Sequence, residues 1–172
     1  MIDYDLKKIR AFAFDVDGVL SPSTIPMDEQ GQPLRMVNIK DGYALQLAAK
    51  LNYRIAIITG GKDERVRFRY EALGVQDIFL GAAHKIDVLQ KWMEECNLLP
   101  EDVLYMGDDI PDLKCLKFVG LSCAPADACP EARLAARYVS RFNGGYGCGR
   151  DVIEQVLKAN SQWLADATAF GW

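Results

Sequence analysis

The chain has 172 residues, about half of them apolar, and a formal net charge of −4. That length builds one proper core and is short for two. The acidic balance excludes a broad basic footprint for nucleic acid or an anionic membrane, and no apolar run reaches the roughly 20 residues that span a bilayer.

The first predicted element is a buried strand over residues 9–14, and it runs directly into the carboxylates of Asp15 and Asp17, followed by Gly18. Aspartate is disfavoured in strands and costs free energy when desolvated without a partner. Taken singly, each acid could serve an Asx turn or a helix cap. A calcium-loop reading fails, because the further oxygen ligands, the glycine at the required offset and the terminal Glu are missing.

Residues 23–39, "STIPMDEQGQPLRMVNI", read as two extended pieces around a polar "DEQGQ" turn, so a β-hairpin is expected between the first strand and the first helix. Helical spacing then predicts a helix over 41–51 with Asp41 as N-cap. Strands follow at 53–59, 76–80, 103–106 and 119–123, with helices at 62–73, 85–97, 109–118 and 150–159. This alternation is the βαβ rhythm of a parallel sheet covered on both faces, a three-layer α/β domain over residues 1–160. Residues 161–172, with three aromatics and no period, form a tail that is mobile or docks elsewhere.

The basic residues Lys62, Arg65, Arg67 and Arg69 form either a solvated helix face or an anion-facing one. The five cysteines, Cys96, Cys115, Cys123, Cys129 and Cys148, are odd in number and lack C-x-x-C pairing. They read as reduced core residues, and with no signal-like segment opening the chain the expected setting is cytoplasmic.

In an open parallel sheet, ligands bind beyond the carboxyl ends of the strands. The predicted strands end in Asp15 and Asp17, in Thr59-Gly60-Gly61, and in Gly107-Asp108-Asp109, while Lys85 opens the helix after the third strand. Clustered acids raise one another's pKa unless a cation neutralises them, and Mg²⁺ favours one or two carboxylates, waters and a substrate phosphate. Thr59, Lys85 and backbone N–H groups near Gly18 and Gly60 supply donors for the phosphate oxygens, a set suited to phosphoryl transfer. One acid can attack phosphorus while the other carries a proton. His84, the single histidine, reads as structural or peripheral.

In this order, Asp15-x-Asp17-Gly18, Thr59-Gly60, Lys85 and Gly107-Asp108-Asp109-x-x-Asp112 resemble the four motifs of the haloacid dehalogenase superfamily of phosphohydrolases. The resemblance implies a Rossmann-like fold with Asp15 as nucleophile and Asp17 as general acid/base that also offers its backbone carbonyl to Mg²⁺. It further implies Asp108 as second carboxylate ligand, Thr59 and Lys85 on the phosphoryl oxygens, and Asp109 and Asp112 as supports. The intervals from Gly18 to Thr59 and from Thr59 to Lys85 leave no room for a cap domain, so the site stays open unless a neighbouring subunit closes it.

A finer resemblance lies in "MVNIKDGYALQLA", "ALGV" and the late "NGGYGCGRDVIEQVL", which is similar to the 3-deoxy-D-manno-octulosonate 8-phosphate phosphatases. It implies a homotetramer whose hairpins form a central barrel, a sugar acid phosphate substrate made for lipopolysaccharide, and substrate contacts at Asn38, Lys40 and Gly60. The family usually carries an arginine after the Thr-Gly pair, where this chain has Gly61. The carboxylate contact would then fall to Lys62, Arg69 or a neighbour's Arg150. A nine-carbon keto-deoxy sugar acid 9-phosphate is the alternative substrate. Rival classes are a phospho-receiver signalling domain, which lacks the late G-D-D-x-x-D, and an idle scaffold that would have no use for the paired acids.

Overall fold

The computed structural model describes residues 1–165. Six strands form one sheet, β1 (Ala11–Phe14), β2 (Arg54–Ile58), β3 (Asp77–Phe79), β4 (Val103–Met106), β5 (Leu121–Ala124) and β6 (Tyr138–Val139). Every pairing is parallel and the spatial order is β3-β2-β1-β4-β5-β6. The chain therefore builds outward from β1 in one direction and returns to β4 on its other side. The switch point lies between β1 and β4, where open α/β sheets place their ligands.

The side-chain period of two divides the core. Phe12, Phe14, Ile55, Ile57, Leu104 and Met106 face α1 (Ile39–Lys50), α2 (Glu64–Glu71) and α6 (Cys148–Ala159). Ala11, Ala13, Ala56, Ile58 and Tyr105 face α3 (Lys85–Glu95), α4 (Leu113–Phe118) and α5 (Pro130–Ala135). Phe12 and Phe14 are fully buried, each stabilising the fold by about 2 kcal/mol in removed apolar surface. β1 is thus fixed from both faces and by two neighbours.

Several sequence expectations change. The helix expected from Asp41 starts at Ile39, because the Asn38 side chain accepts from the N–H groups of Lys40 (2.9 Å) and Asp41 (3.3 Å) and is the true N-cap. The helix expected over 109–118 is split into a 3₁₀ turn, Ile110–Asp112, and α4: the Asp112 and Leu113 N–H groups bond back three residues, to the Asp109 and Ile110 carbonyls. β6, only two residues long, and α5 were not anticipated.

The expected hairpin over 23–39 is reduced to one isolated antiparallel bridge between Met27 and Pro33, with no named strand among its residues. Pro26 and Pro33 cannot donate to a ladder. The turn itself is well made: Asp28 accepts from the N–H groups of Gln30 and Gln32 at 3.0 and 2.8 Å, and Gly31 takes φ +74°. We call this segment the flap. Of the tail, residues 161–165 fold back, with Trp163 edge-on to Tyr43 at 5.9 Å; the remainder of the expected tail, including Trp172, lies outside the described residues.

Candidate active site

Asp15 prolongs the ladder of β1 by one bond, its N–H donating to the Met106 carbonyl at 3.0 Å. It continues the parity of Ala11 and Ala13, so its carboxylate points to the α3 side of the sheet. There Lys85, the first residue of α3, places Nζ 2.7 Å from Asp15 Oδ2 and 2.8 Å from Asp112 Oδ1. Asp15 Oδ1 accepts the Val16 N–H at 2.7 Å.

Asp112 is the anchor of the cluster and is fully buried. One oxygen accepts from Lys85 and from the Tyr105 hydroxyl at 2.6 Å; the other accepts the N–H groups of Asp108 and Asp109 at 3.1 and 3.3 Å. With four donors satisfied, it orients the turn that carries Asp108. Asp109 contributes to that turn through its backbone, its side chain being exposed. Tyr105 was missed by sequence reasoning; its place on an inward-facing strand position was the only available signal.

Asp15, Asp108 and Asp112 each bring an oxygen within 4.8 Å of the others. Burial, then the Asp112 charge, pushes the Asp15 carboxyl up to about 7 against the pull of Lys85. Burial, then Asp15 and Asp112, does the same to Asp108, also to about 7. Lys85 is held above its ordinary value: burial works against its charge, but Asp15 and Asp112 outweigh it. One ammonium among three carboxylates leaves a net negative, oxygen-only site, which is the donor chemistry of a hard divalent cation. Since Asp112 is already saturated, Asp15 and Asp108 are the side chains that fit such an ion.

The turn after β1 is packed as closely as the cluster. Gly18 has φ +85°, and a methyl group there would overlap the Asp108 carboxylate. From the other end of the chain, Gly144 sits so close to the Gly18 carbonyl that it too has no room for a side chain, and the Gly145 N–H donates to the Val19 carbonyl at 2.7 Å. The late glycine loop therefore braces the first acidic turn, a role that sequence alone did not assign.

Thr59, at the end of β2, is buried, and its hydroxyl accepts the Gly61 N–H at 3.1 Å. Gly60 is exposed beside it. Asp17 is 37% exposed at its side chain and is gripped by a residue the sequence reading passed over, Arg35 of the flap: Nε to Oδ1 at 2.7 Å and Nη2 to Oδ2 at 2.8 Å.

The remaining expected contacts are dispersed. Asn38 is occupied by its capping bonds and by donating to the Gly145 carbonyl at 3.0 Å. Lys62 lies exposed along Gly81. Arg150 pairs with Glu154 at 2.9 Å, stacks 5.1 Å over Trp163 and lines, with Lys40, a groove along α6. Arg69 lines a cavity of about 220 Å³ beneath the flap, together with Arg35. Of the other basic residues of α2, Arg67 pairs with Glu64 and Arg65 with Asp63, as a solvated face does. His84 is exposed at the start of α3.

A model of haloacid dehalogenase-like hydrolases matches residues 50–147. Fold, switch point and strand-end acids agree with that match, and the chain belongs to this family. The receiver-domain alternative falls with it. Within the family the likeness is narrower. The 3-deoxy-D-manno-octulosonate 8-phosphate phosphatase KdsC of Escherichia coli is 38% identical over 156 residues, covering 91% of this chain and 83% of its own. The crystal structure of the Yersinia pestis phosphatase of that name superposes with a TM-score of 0.89 at 34% identity, over 94% of this chain and 87% of the other. The Moraxella catarrhalis phosphatase, solved in complex with magnesium, phosphate and KDO, gives a TM-score of 0.89 at 32% identity over 95% of each chain.

Proposed function

We propose that this protein is a Mg²⁺-dependent phosphatase that hydrolyses 3-deoxy-D-manno-octulosonate 8-phosphate. The observation that carries the reading is the Asp15 carboxylate, fixed at the switch point between Lys85 and the Asp108 turn. The similarity to phosphatases of that name points to the sugar. Asp15 and Asp108, with the Asp17 backbone carbonyl, would hold the ion. Bound there, Mg²⁺ neutralises charge and polarises the phosphoryl oxygens.

Asp15 attacks phosphorus and the sugar alkoxide leaves, forming an aspartyl phosphate. Asp17 gives the alkoxide its proton and then takes one from the water that hydrolyses the acyl phosphate. Thr59 and Lys85 bind phosphoryl oxygens, Lys85 keeping its charge through Asp15 and Asp112. Asp109 and Asp112 hold the Asp108 turn in place.

The working assembly is a homotetramer in which a neighbour's flap and Arg150 help close the site. Its support is the apolar surface of the flap, where Met27, Met36 and Val37 are half or more exposed. No helix among the described residues is long and apolar enough to cross a membrane, and five unpaired thiols suit a reducing cytoplasm. The decisive assay is phosphate release from the eight-carbon and nine-carbon keto sugar acid phosphates, with Mg²⁺ and with chelator. Gly61, in place of the family arginine, keeps the nine-carbon acid as the second candidate; a higher kcat/KM for it would replace the first.

A further inference from the structure

A general acid must have a free oxygen to offer, and Asp17 has both of its oxygens engaged. Arg35 forks onto them at 2.7 and 2.8 Å while its third nitrogen reaches Asp63 Oδ2 at 3.2 Å. Bidentate guanidinium–carboxylate pairs of this length are among the stronger hydrogen-bonded pairs and fix orientation as well as charge. The Arg35 side chain is only 11% exposed, so the pair is partly shielded from water.

The seat of the guanidinium is cut into the loop after β2. A Cβ built on Gly61 would lie 2.8 Å from Arg35 Nη2 and 3.5 Å from the Thr59 hydroxyl. The cation therefore enters from the flap, across the space left by the missing side chain, and settles on Asp17. It is carried by a segment whose backbone is tied by one isolated bridge, next to the cavity of about 220 Å³ that Arg35 and Arg69 line. A lightly packed arm holds the acid of the first turn.

We propose that Arg35 is a flap-borne positioning residue that forks on Asp17 until an oxyanion of the substrate takes over the guanidinium, freeing Asp17 to transfer its proton. The substrate oxyanion replaces the Asp17 carboxylate on the same planar fork, so the charge on Arg35 stays compensated throughout, and the gain in affinity is the difference between the two pairs. The inference rests on the phosphatase reading for the role of Asp17. Two oxyanions of a sugar acid phosphate could draw the fork away, the phosphoryl group and the carboxylate.

Calorimetry on the intact Mg²⁺-loaded protein tests this, with inorganic phosphate and the free eight-carbon keto sugar acid as probes. Arg35→Ala is expected to weaken whichever oxyanion receives the fork by up to about tenfold, the low end for a charged hydrogen-bonded contact because the Asp17 pair is given up in exchange. Loss with phosphate assigns the phosphoryl group, and loss with the sugar acid assigns the carboxylate. KM for the sugar acid phosphate rises correspondingly, and Arg35→Lys restores part of it. Gly61→Ala, which keeps the arginine but fills its seat, should reproduce part of the loss. If Arg35→Ala lowers kcat while KM and both affinities keep their wild-type values, Arg35 is only a structural brace and the proposal is overturned. Phosphate release by the wild-type protein tests the phosphatase reading separately, so each can fail alone.

Discussion

The floor of the site and the flap above it are built on opposite terms. Asp15, Thr59, Lys85 and Asp112 are all buried, each attached to a strand end or helix start whose position is fixed by the packed sheet. The flap is held by one backbone bridge, a well-formed turn and the ion pairs of Arg35 and Arg65, and it exposes Met27, Leu34, Met36 and Val37. Chemistry that tolerates little displacement stands on the rigid part. In the proposed reaction, contacts that choose and admit a substrate would come from the flap, the part with the fewest packed contacts.

The largest effect expected from breaking the floor is that of Asp15→Asn. Its amide keeps the shape but cannot attack phosphorus, so phosphate release should fall by about 10⁴-fold or more while the protein stays folded by circular dichroism. Wild-type-like turnover would refute the covalent route. Asp17→Asn should follow, lowering kcat by about 10² to 10⁴, the usual range of acid–base catalysis.

Gly144→Ala asks whether a residue remote in sequence belongs to the floor. The new methyl would press on the Gly18 carbonyl, costing about 1–3 kcal/mol of stability on chemical denaturation. Displacing the Asp17–Gly18 turn should also lower kcat by about 10²-fold. Deleting residues 27–32 tests the flap: KM for the sugar phosphate should rise about tenfold, the equivalent of about 1.4 kcal/mol of lost contact. Light scattering on the same variant should show a smaller assembly than the wild type, and an unchanged assembly would remove the flap from the proposed interface.

The smallest effect is read in stability against pH. Asp15 and Asp108 are raised from 3.8 to about 7 in the metal-free protein, so their contribution to stability is full below about 4 and is lost as pH rises through about 7. Mg²⁺ offsets that loss, and only for the ionised groups. The melting temperature gained on adding Mg²⁺ should therefore grow from pH 5 to pH 8, and in Asp15→Asn this growth should be markedly reduced.

The floor was legible because its signals are local. A strand pattern running into Asp15 and Asp17, a strand ending at Thr59, a helix opening with Lys85 and the Gly107-Asp108-Asp109 turn each announce a strand end, and parallel topology gathers strand ends on one edge. The flap was legible only as a turn. Its prolines, read as parts of extended pieces, prevent the ladder that a hairpin needs. Asp41 shows the same limit, since its acidic side chain suits a cap, yet it accepts the Arg150 N–H at 2.6 Å and burial raises its carboxyl to about 6.

By itself, then, the sequence determined the parallel α/β plan, the acids and cations of the floor and the absence of room for a cap, because hydrophobic period and strand-end chemistry are written within a few residues of each other. Tertiary structure alone decided that Arg35 grips Asp17, that Gly144 braces Gly18 and that Tyr105 and Lys85 meet on Asp112. These partners lie 18, 7 and 27 residues apart for Arg35–Asp17, Tyr105–Asp112 and Lys85–Asp112, and most of a chain apart for the glycines. Contacts at such separations follow from strand order and loop packing, which no local pattern encodes.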